Sequence, residues 1–343
     1  MREKSVIPTI NTEAIHSDLG RARELLAAKI NNAARDSGIF YATGLGIDPS
    51  PVYDQSARFH AMPLIYKESY CIGMDMRHAG YVPLTEKGLY GDEGKHRRYE
   101  SFDVSLETIS GKVGENIFNG PLRWPDLPGF KDVVYHFFCG MIEVSRELST
   151  IVEIALNMEP GTIVSKMTHP ASQLRLLHYI ENNDRPDLKD ANMGAHTDYE
   201  CFTILHQDSP GLQTQLRNGE WVDVPPVEGA TVINIGDMLE CITNGYWKSN
   251  AHRVLNSGKE RYSIPFFSSL DFNARIAPLS RFIEAHNGPN EYKEIIAGEH
   301  LLEQVTRDFS YLRKLHGSGR LPLRHGIPAG NPFQYTVKEA SQI

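Results

Sequence analysis

Between residues 172 and about 270 the chain passes through short runs rich in β-branched and aromatic residues, each ended by turn-forming sequence. The runs are SQLRLLHYI, YECFTILHQ, LQTQL, EWVDVP, ATVINIG, HRVL and RYSIPFFSSL, and the punctuation between them includes SPG, RNG, VEG and NSGKE. Glycine, asparagine, serine and proline supply the backbone geometry that tight reversals need. Evenly spaced short strands of this kind predict an antiparallel sandwich or barrel, of which the jelly roll is one common solution. No other segment constrains the fold as strongly. The helical patterns lie before and after it, so the fold class is α+β with a mainly β core.

Three stretches carry the helical period. SDLGRARELLAAKINNAARDSG predicts an amphipathic helix capped by Ser17 or Asp18, with Leu25, Leu26, Ile30 and Ala33 as its apolar stripe and Gly38 as its stop. In LPGFKDVVYHFFCGMIEVSRELSTIVEIALNMEPG the residues Phe130, Val134, Phe137, Met141, Leu148, Ile151 and Ala155 recur at helical spacing, and Gly161 lies past the end. NEYKEIIAGEHLLEQVTRDFSYLRKL predicts a third helix, followed by a Gly/Pro-rich tail. The polar loop ENNDRPDLKDAN, just before residue 193, is expected to be mobile. Residues 1–120 therefore form an N-terminal helical and mixed part, 121–290 a β core with its long supporting helix, and 291–343 C-terminal helices and tail. One compact catalytic unit is expected from the three.

Charge narrows the function. The formal net charge is -8 and no long basic run occurs, which argues against nucleic acid or an anionic membrane surface as the main partner. The one basic knot, Lys95 to Arg98, has Glu93, Glu100 and Asp103 close by and fits a solvated loop. Neither a secretory signal nor a run of about 18 apolar residues is present, so a cytoplasmic chain without a membrane span is expected. The four cysteines, Cys71, Cys139, Cys201 and Cys241, are scattered, which suits free thiols in a reducing compartment. Cys201, Cys241, Trp221 and Trp247 are expected to pack. Metal chemistry, if present, must come from histidine and carboxylate.

Two H-x-D triplets occur. His16-Ser17-Asp18 sits at a helix start, where Asp18 is better explained as accepting from free backbone N–H groups. In MGAHTDYECFTIL, by contrast, His196 and Asp198 sit where the chain begins to read as a strand, and alternation would put both on one face. They are two of the three groups of a 2-His-1-carboxylate triad, which leaves open positions on Fe(II) for a cosubstrate and O2. His252, opening the strand-like run HRVL, is the candidate third ligand. The segment HRVLNSGKERYSIPFF then reads as a hairpin whose second strand puts Arg261 and Ser263 on one face and Tyr262 and Ile264 on the other. A buried guanidinium beside a hydroxyl is a good carboxylate receptor. An iron site next to such an anchor is what a 2-oxo acid requires. His178 and His206, although near in sequence, are read as structural.

Taken together, H-T-D, H-R-V and R-Y-S-I-P-F-F resemble the 2-oxoglutarate/Fe(II) oxygenases, in particular their isopenicillin N synthase-like branch. SVIPTIN resembles that branch's I-P-x-I-D opening, with Asn11 where Asp is usual. DSGIFYATGLGI resembles its G-F-F-Y-x-x-x-H-G-I, with Leu45 where His is usual. AGYVPL, YESFD, RWP and GLQTQLRNGEWVDVPPVEGATVINIGDMLECITNGYWKSNAHRV follow in the family's order, and the likeness covers roughly residues 5 to 280.

The resemblance implies a distorted jelly roll (double-stranded β-helix) flanked by N- and C-terminal helices. It implies that His196, Asp198 and His252 bind Fe(II), and that Arg261 and Ser263 receive the distal carboxylate of 2-oxoglutarate. Tyr179 matches a family tyrosine that adds a hydroxyl to that carboxylate, although His178 and Ile180 depart from the usual neighbours. Arg77 and His78, just before AGY, fall near an arginine that faces substrate in the branch, with a surface loop as the alternative. With O2, such an enzyme oxidises an unactivated C–H bond of a small molecule by hydroxylation, desaturation or cyclisation, releasing succinate and CO2. The retained Asp198 argues against a halogenase. A 2-oxoglutarate-independent oxidase of the isopenicillin N synthase type, which keeps the same R-x-S, is the alternative. A non-redox metal protein or zinc hydrolase is a further one, although no general base stands at a suitable spacing.

Overall fold

The computed structural model describes residues 7–84, 99–109, 116–180, 191–255, 258–285 and 292–333. The Lys95 to Arg98 cluster and residues 181–190 of the polar loop lie outside these.

Residues 172–270 supply the seven expected strands and one more, β6, whose first residues read in sequence as the end of the polar loop. They are β5 (Gln173–Tyr179), β6 (Ala191–His196), β7 (Phe202–Gln207), β8 (Leu212–Gln215), β9 (Trp221–Asp223), β10 (Ala230–Ile235), β11 (His252–Leu255) and β12 (Arg261–Ser268). Four more come from the N-terminal part: β1 (Thr9–Asn11), β2 (Ile39–Thr43), β3 (Gly80–Val82) and β4 (Tyr99–Ser105). The large sheet runs β1-β2-β10-β7-β12-β5-β4-β3, and the small sheet runs β6-β11-β8-β9. β1 lies parallel to β2, and the other pairs in these two sheets are antiparallel. A cavity lies between the sheets, lined from one side by β5, β7, β10 and β12 and from the other by β6, β8 and β11. This is the jelly roll with flanking helices.

Alternation along each strand decides what faces that cavity. On β5, Arg175, Leu177 and Tyr179 line it while Leu174 and Leu176 enter the main core. On β12, Arg261, Ser263 and Phe267 line it while Ile264 and Phe266 enter the core. Side chains alternate with period two, so one row of each strand lines the cavity while the other enters the core. β4 is buried along its whole length yet carries charge, and so escapes a propensity reading. Its Glu100 and Asp103 are buried but paired, with Lys67 at 2.7 Å and Arg175 at 2.7 Å.

The outer face of the large sheet is covered by α1 (Gly20–Asp36), α2 (Ser50–His60) and the long α4 (Phe130–Ala155), with the short α3 (Leu64–Glu68) between them in sequence. Phe138 of α4 is fully buried, with its ring 5.8 Å from Phe266 of β12. Phe138→Ala should cost about 3–5 kcal/mol through lost transfer energy and the cavity left behind. A urea melt showing no shift of the midpoint would contradict that packing. Beyond the helix, Glu153 accepts backbone N–H groups of Gly161, Ile163 and Val164 at 2.8, 2.6 and 2.9 Å, which turns the chain back toward β5.

Several local expectations are corrected. Leu25 is 59% exposed, and the buried stripe of α1 is Leu26, Ala27, Ile30, Ala33 and Ala34. Neither Ser17 nor Asp18 caps that helix; Ser17 Oγ accepts from the Leu19 N–H at 3.1 Å instead, and His16 pairs with Glu147 at 2.8 Å. The third helix starts later than predicted, because Ile295–Ile296 pairs as β14 with β13 (Arg275–Ile276). After α5 (Asp237–Ile242) and α6 (Ser280–Ala285), the C-terminal helix is two pieces, α7 (Ala297–Asp308) and α8 (Ser310–Gly317). Between them Phe309 is extended and buried, its ring 4.6 Å from His78. All four cysteines are free, and Cys201, Cys241 and Trp247 are buried. Among the described residues no helix is long and apolar enough to cross a membrane.

Candidate metal centre

HTDYECFTIL is not one strand. β6 ends at His196 and β7 begins at Phe202, so Asp198 lies in the connection rather than one pleat along. That connection is clamped against the turn before α5. The backbone N–H groups of Gly236, Asp237 and Met238 donate to the carbonyls of Cys201, Asp198 and Glu200 at 2.9, 2.9 and 3.1 Å. Approach is close enough that a Cβ on Gly236 would stand 2.3 Å from the Glu200 carbonyl.

The second histidine arrives by strand pairing. His252 opens β11 directly opposite His196, and the two rings lie 4.3 Å apart. Asp198 Oδ1 is 3.8 Å from His196 Nε2 and 3.6 Å from His252 Nε2. The three side chains are buried, and one ligand atom from each lies within 4.8 Å of the others. Each imidazole is oriented through its other nitrogen. His196 Nδ1 is bonded to the Gly194 carbonyl at 2.8 Å and His252 Nδ1 to the Asn250 carbonyl at 3.0 Å, so Nδ1 carries the proton and Nε2 the lone pair. Burial, reinforced by the neighbouring His252, holds His196 well below the ordinary histidine range and therefore neutral. Thr203 Oγ1 donates to Asp198 Oδ2 at 2.5 Å, turning Oδ1 toward the histidines. Two oriented imidazoles and one oriented carboxylate in a buried pocket fit Fe(II) with positions left open.

Sequence reading gave no signal for the support from the tail. Asn331 is buried, and its amide donates to Thr197 Oγ1 at 2.9 Å and to Asp237 Oδ2 at 2.6 Å. It thus ties the C-terminal segment to the residue between two candidate ligands. Asn331→Ala should weaken metal affinity by roughly tenfold, as loss of an outer-shell partner does. Unchanged affinity in a calorimetric titration would contradict that role.

Farther along the cavity, Arg261 is 1% exposed. Its Nε donates to the Ser209 carbonyl at 3.1 Å, Nη1 to Ser263 Oγ at 3.2 Å and Nη2 to Gln207 Oε1 at 3.0 Å. The guanidinium also lies 4.8 Å from the Tyr179 ring centroid. Among the described residues no carboxylate pairs with it. A fully buried cation without a counter-ion is costly. Burial holds the Tyr179 phenol protonated and able to donate.

Arg77 and His78 are not among the residues lining this cavity. Arg77 Nη1 donates to the carbonyls of Asn116 and Asn119 at 2.5 and 3.2 Å. His78 is buried behind Phe309, bonded to the Tyr311 hydroxyl at 2.6 Å. Arg175 and Glu200 are among the cavity residues that escaped the sequence reading. Arg175 is held by Asp103 through Nε and Nη2 at 2.9 and 2.7 Å. Glu200 is 4% exposed and is pushed up to about 8 by burial first and by Asp198 next.

Comparison with known proteins agrees with this fold and site. Residues 171–269 match the 2OG-Fe(II) oxygenase superfamily, and residues 7–127 match the non-haem dioxygenase in morphine synthesis N-terminal family. A homoarginine-6-hydroxylase of Arabidopsis thaliana is 31% identical over 310 residues, covering 85% of this chain and 92% of that protein. A 2-oxoglutarate-Fe(II) type oxidoreductase of Emericella nidulans is 30% identical over 275 residues, 76% of this chain and 79% of that one. In structure, a 2OG-Fe(II) oxygenase family protein from Caulobacter crescentus superposes with a TM-score of 0.75 at 26% identity, covering 91% and 100% of the two chains. A full-length Neurospora crassa protein in complex with alpha-KG and thymine gives a TM-score of 0.75 at 24% identity over 93% and 98%, a likeness of fold. The chain belongs to the 2OG-Fe(II) oxygenase superfamily. It is a dioxygenase of the kind that uses Fe(II), 2-oxoglutarate and O2, and its curated relatives act on small molecules.

Proposed function

We propose that His196, Asp198 and His252 hold Fe(II), that Arg261, Ser263 and Tyr179 receive the distal carboxylate of 2-oxoglutarate, and that the enzyme hydroxylates an unactivated C–H bond of a small molecule. The observation that carries this reading is the buried, acid-free guanidinium of Arg261 in the same cavity as the buried His-Asp-His cluster. Iron bound there supplies the redox chemistry that couples oxidation of substrate to decarboxylation of 2-oxoglutarate. The chain's own share is positioning. Arg261 offers a planar fork, Ser263 and Tyr179 add hydroxyls, and Leu177, Leu205 and Val254 line the cavity with apolar surface that excludes water.

Hydroxylation is favoured over desaturation or cyclisation by the name of the 31%-identical relative, a homoarginine-6-hydroxylase. In the balanced reaction, one oxygen atom of O2 enters the C–H bond and the other enters succinate, with CO2 released. Incubation of the iron-loaded enzyme with homoarginine, 2-oxoglutarate and labelled O2 should yield succinate and a product heavier by one labelled oxygen. A product lighter by two hydrogens would replace hydroxylation with desaturation or ring closure. Turnover that ignores 2-oxoglutarate would remove the cosubstrate assignment.

A further inference from the structure

Most neutral polar side chains that line the cavity are already engaged by the protein. Gln173 donates to the His78 carbonyl at 2.6 Å, Thr203 to Asp198 at 2.5 Å and Tyr199 to Asp308 at 2.6 Å. Ser263 accepts from Arg261, and Thr197 accepts from Asn331. Asn234 differs. It lines the same cavity and is 1% exposed, yet neither its Nδ2 nor its Oδ1 has a hydrogen-bond partner among the described residues. Alternation on β10 sets its direction: Ile233 and Ile235 enter the main core, so Asn234 points the other way, into the cavity. A buried polar group left unpaired costs about 1–3 kcal/mol, and one aimed into a ligand cavity is placed to take its partner from the ligand.

Its place in the sheet says which ligand. Asn234 pairs with Thr203 across β10 and β7, and Thr203 pairs with Phe267 of β12. Thr203 holds Asp198, so this row lies at the iron end of the cavity. Ser263 pairs with Gln207, four residues farther along β7 than Thr203 and so about 13 Å away at 3.3 Å per residue. The distal carboxylate of 2-oxoglutarate, assigned to that far end, is out of reach of Asn234. The other end of 2-oxoglutarate offers a ketone and a carboxylate, which accept and have no proton to give. It can satisfy Nδ2 but leaves Oδ1 unpaired. A purely cationic head group has the reverse defect, because it donates and cannot accept. A primary substrate that satisfies both atoms presents an acceptor and a donor side by side.

We infer that Asn234 is a specificity-determining residue that selects a substrate carrying a syn amide edge, whose C=O accepts from Nδ2 and whose N–H donates to Oδ1. Lactams and primary carboxamides hold the two groups on one side. An open-chain secondary amide is trans and holds them on opposite sides. The inference rests on the iron and 2-oxoglutarate reading above, because that reading makes this cavity the place where substrate is oxidised. A site built to pair an N–H rejects the analogue that lacks it, since its own buried group is then left unpaired.

The test is calorimetry on full-length protein loaded with Fe(II) and 2-oxoglutarate under anaerobic conditions. The probes are the lactam 2-piperidone, its N-methyl derivative, which cannot donate, and cyclohexanone, which lacks the nitrogen. Pentanamide, an open-chain primary carboxamide, separates the acyclic source of the edge from the cyclic one. 2-Piperidone should bind roughly 10- to 100-fold more tightly than the N-methyl lactam and the ketone, the scale of leaving one buried group unpaired. Asn234→Leu, close in size to the parent side chain, should erase that preference. Asn234→Ala, which adds no bulk, serves the same purpose if the leucine variant does not fold. Equal binding of the three ring probes, no binding of either N–H amide, or a preference that survives the loss of the Asn234 amide overturns the inference. The visible band of the parent's Fe(II)–2-oxoglutarate complex, recorded before each titration, reports the underlying reading separately: no band is a failure of that reading, and a band without amide preference is a failure of this one.

Discussion

Asp198→Ala should abolish stoichiometric iron binding and lower turnover by roughly 10³-fold or more, since even outer-shell losses around a metal cost 10- to 100-fold. Asp198 is the one carboxylate of the set, beside His196 held below its ordinary range. Its removal takes away the charge that compensates the dication and strands the Thr203 hydroxyl that now donates to it. His252→Ala should behave alike, because strand pairing with His196 is what brings its ring to 4.3 Å. Thr203→Val should fall between these variants and the parent, in the 10- to 100-fold range, because it leaves all three ligands but frees Asp198 to rotate. Metal content after gel filtration, read beside a thermal melt, separates loss of ligand from loss of fold. An Asp198→Ala protein that retains one iron and its turnover would sink the assignment.

The second large effect is expected at the other end of the cavity. Arg261→Ala should raise the KM for 2-oxoglutarate by roughly 10²-fold or more, the scale of losing one partner of a buried charge-assisted pair. Three of its donors are already placed by Ser209, Ser263 and Gln207, so the side chain is held in position before any ligand arrives. Turnover at saturating 2-oxoglutarate should fall less than kcat/KM, because the iron ligands are untouched. Arg261→Lys keeps the charge but loses the fork, and should sit between alanine and the parent. A KM that does not move would mean that the cosubstrate is anchored elsewhere.

What the sequence reveals about this protein divides along physical lines. His252 and Arg261 are legible because each opens a strand, where alternation fixes the facing of the side chains that follow. HRVLNSGKERYSIPFF is nonetheless not the hairpin it suggests: β11 pairs with β6 and β8 in the small sheet, and β12 with β5 and β7 in the large one. Strand alternation picks out Asp198 for a partly wrong reason. Its place depends on backbone bonds from residues 236–238, a contact between distant segments that no local period encodes. β4 is hidden because its charged residues are neutralised by Lys67 and Arg175, partners that only the fold supplies. Leu25 reads as part of a buried stripe although it faces solvent, since one position along a helix rotates a side chain by about 100°. Asn331 cannot be found by spacing; it matters because of the two acceptors around it.

The most direct test of the central claim is an anaerobic titration of the Fe(II)-loaded protein with 2-oxoglutarate, followed in the visible range, for the parent and Arg261→Ala side by side. The parent should show a weak charge-transfer band that saturates with one equivalent of cosubstrate, and the variant should need far more. Iron that binds without any band would contradict it, and so would identical titrations of the two proteins.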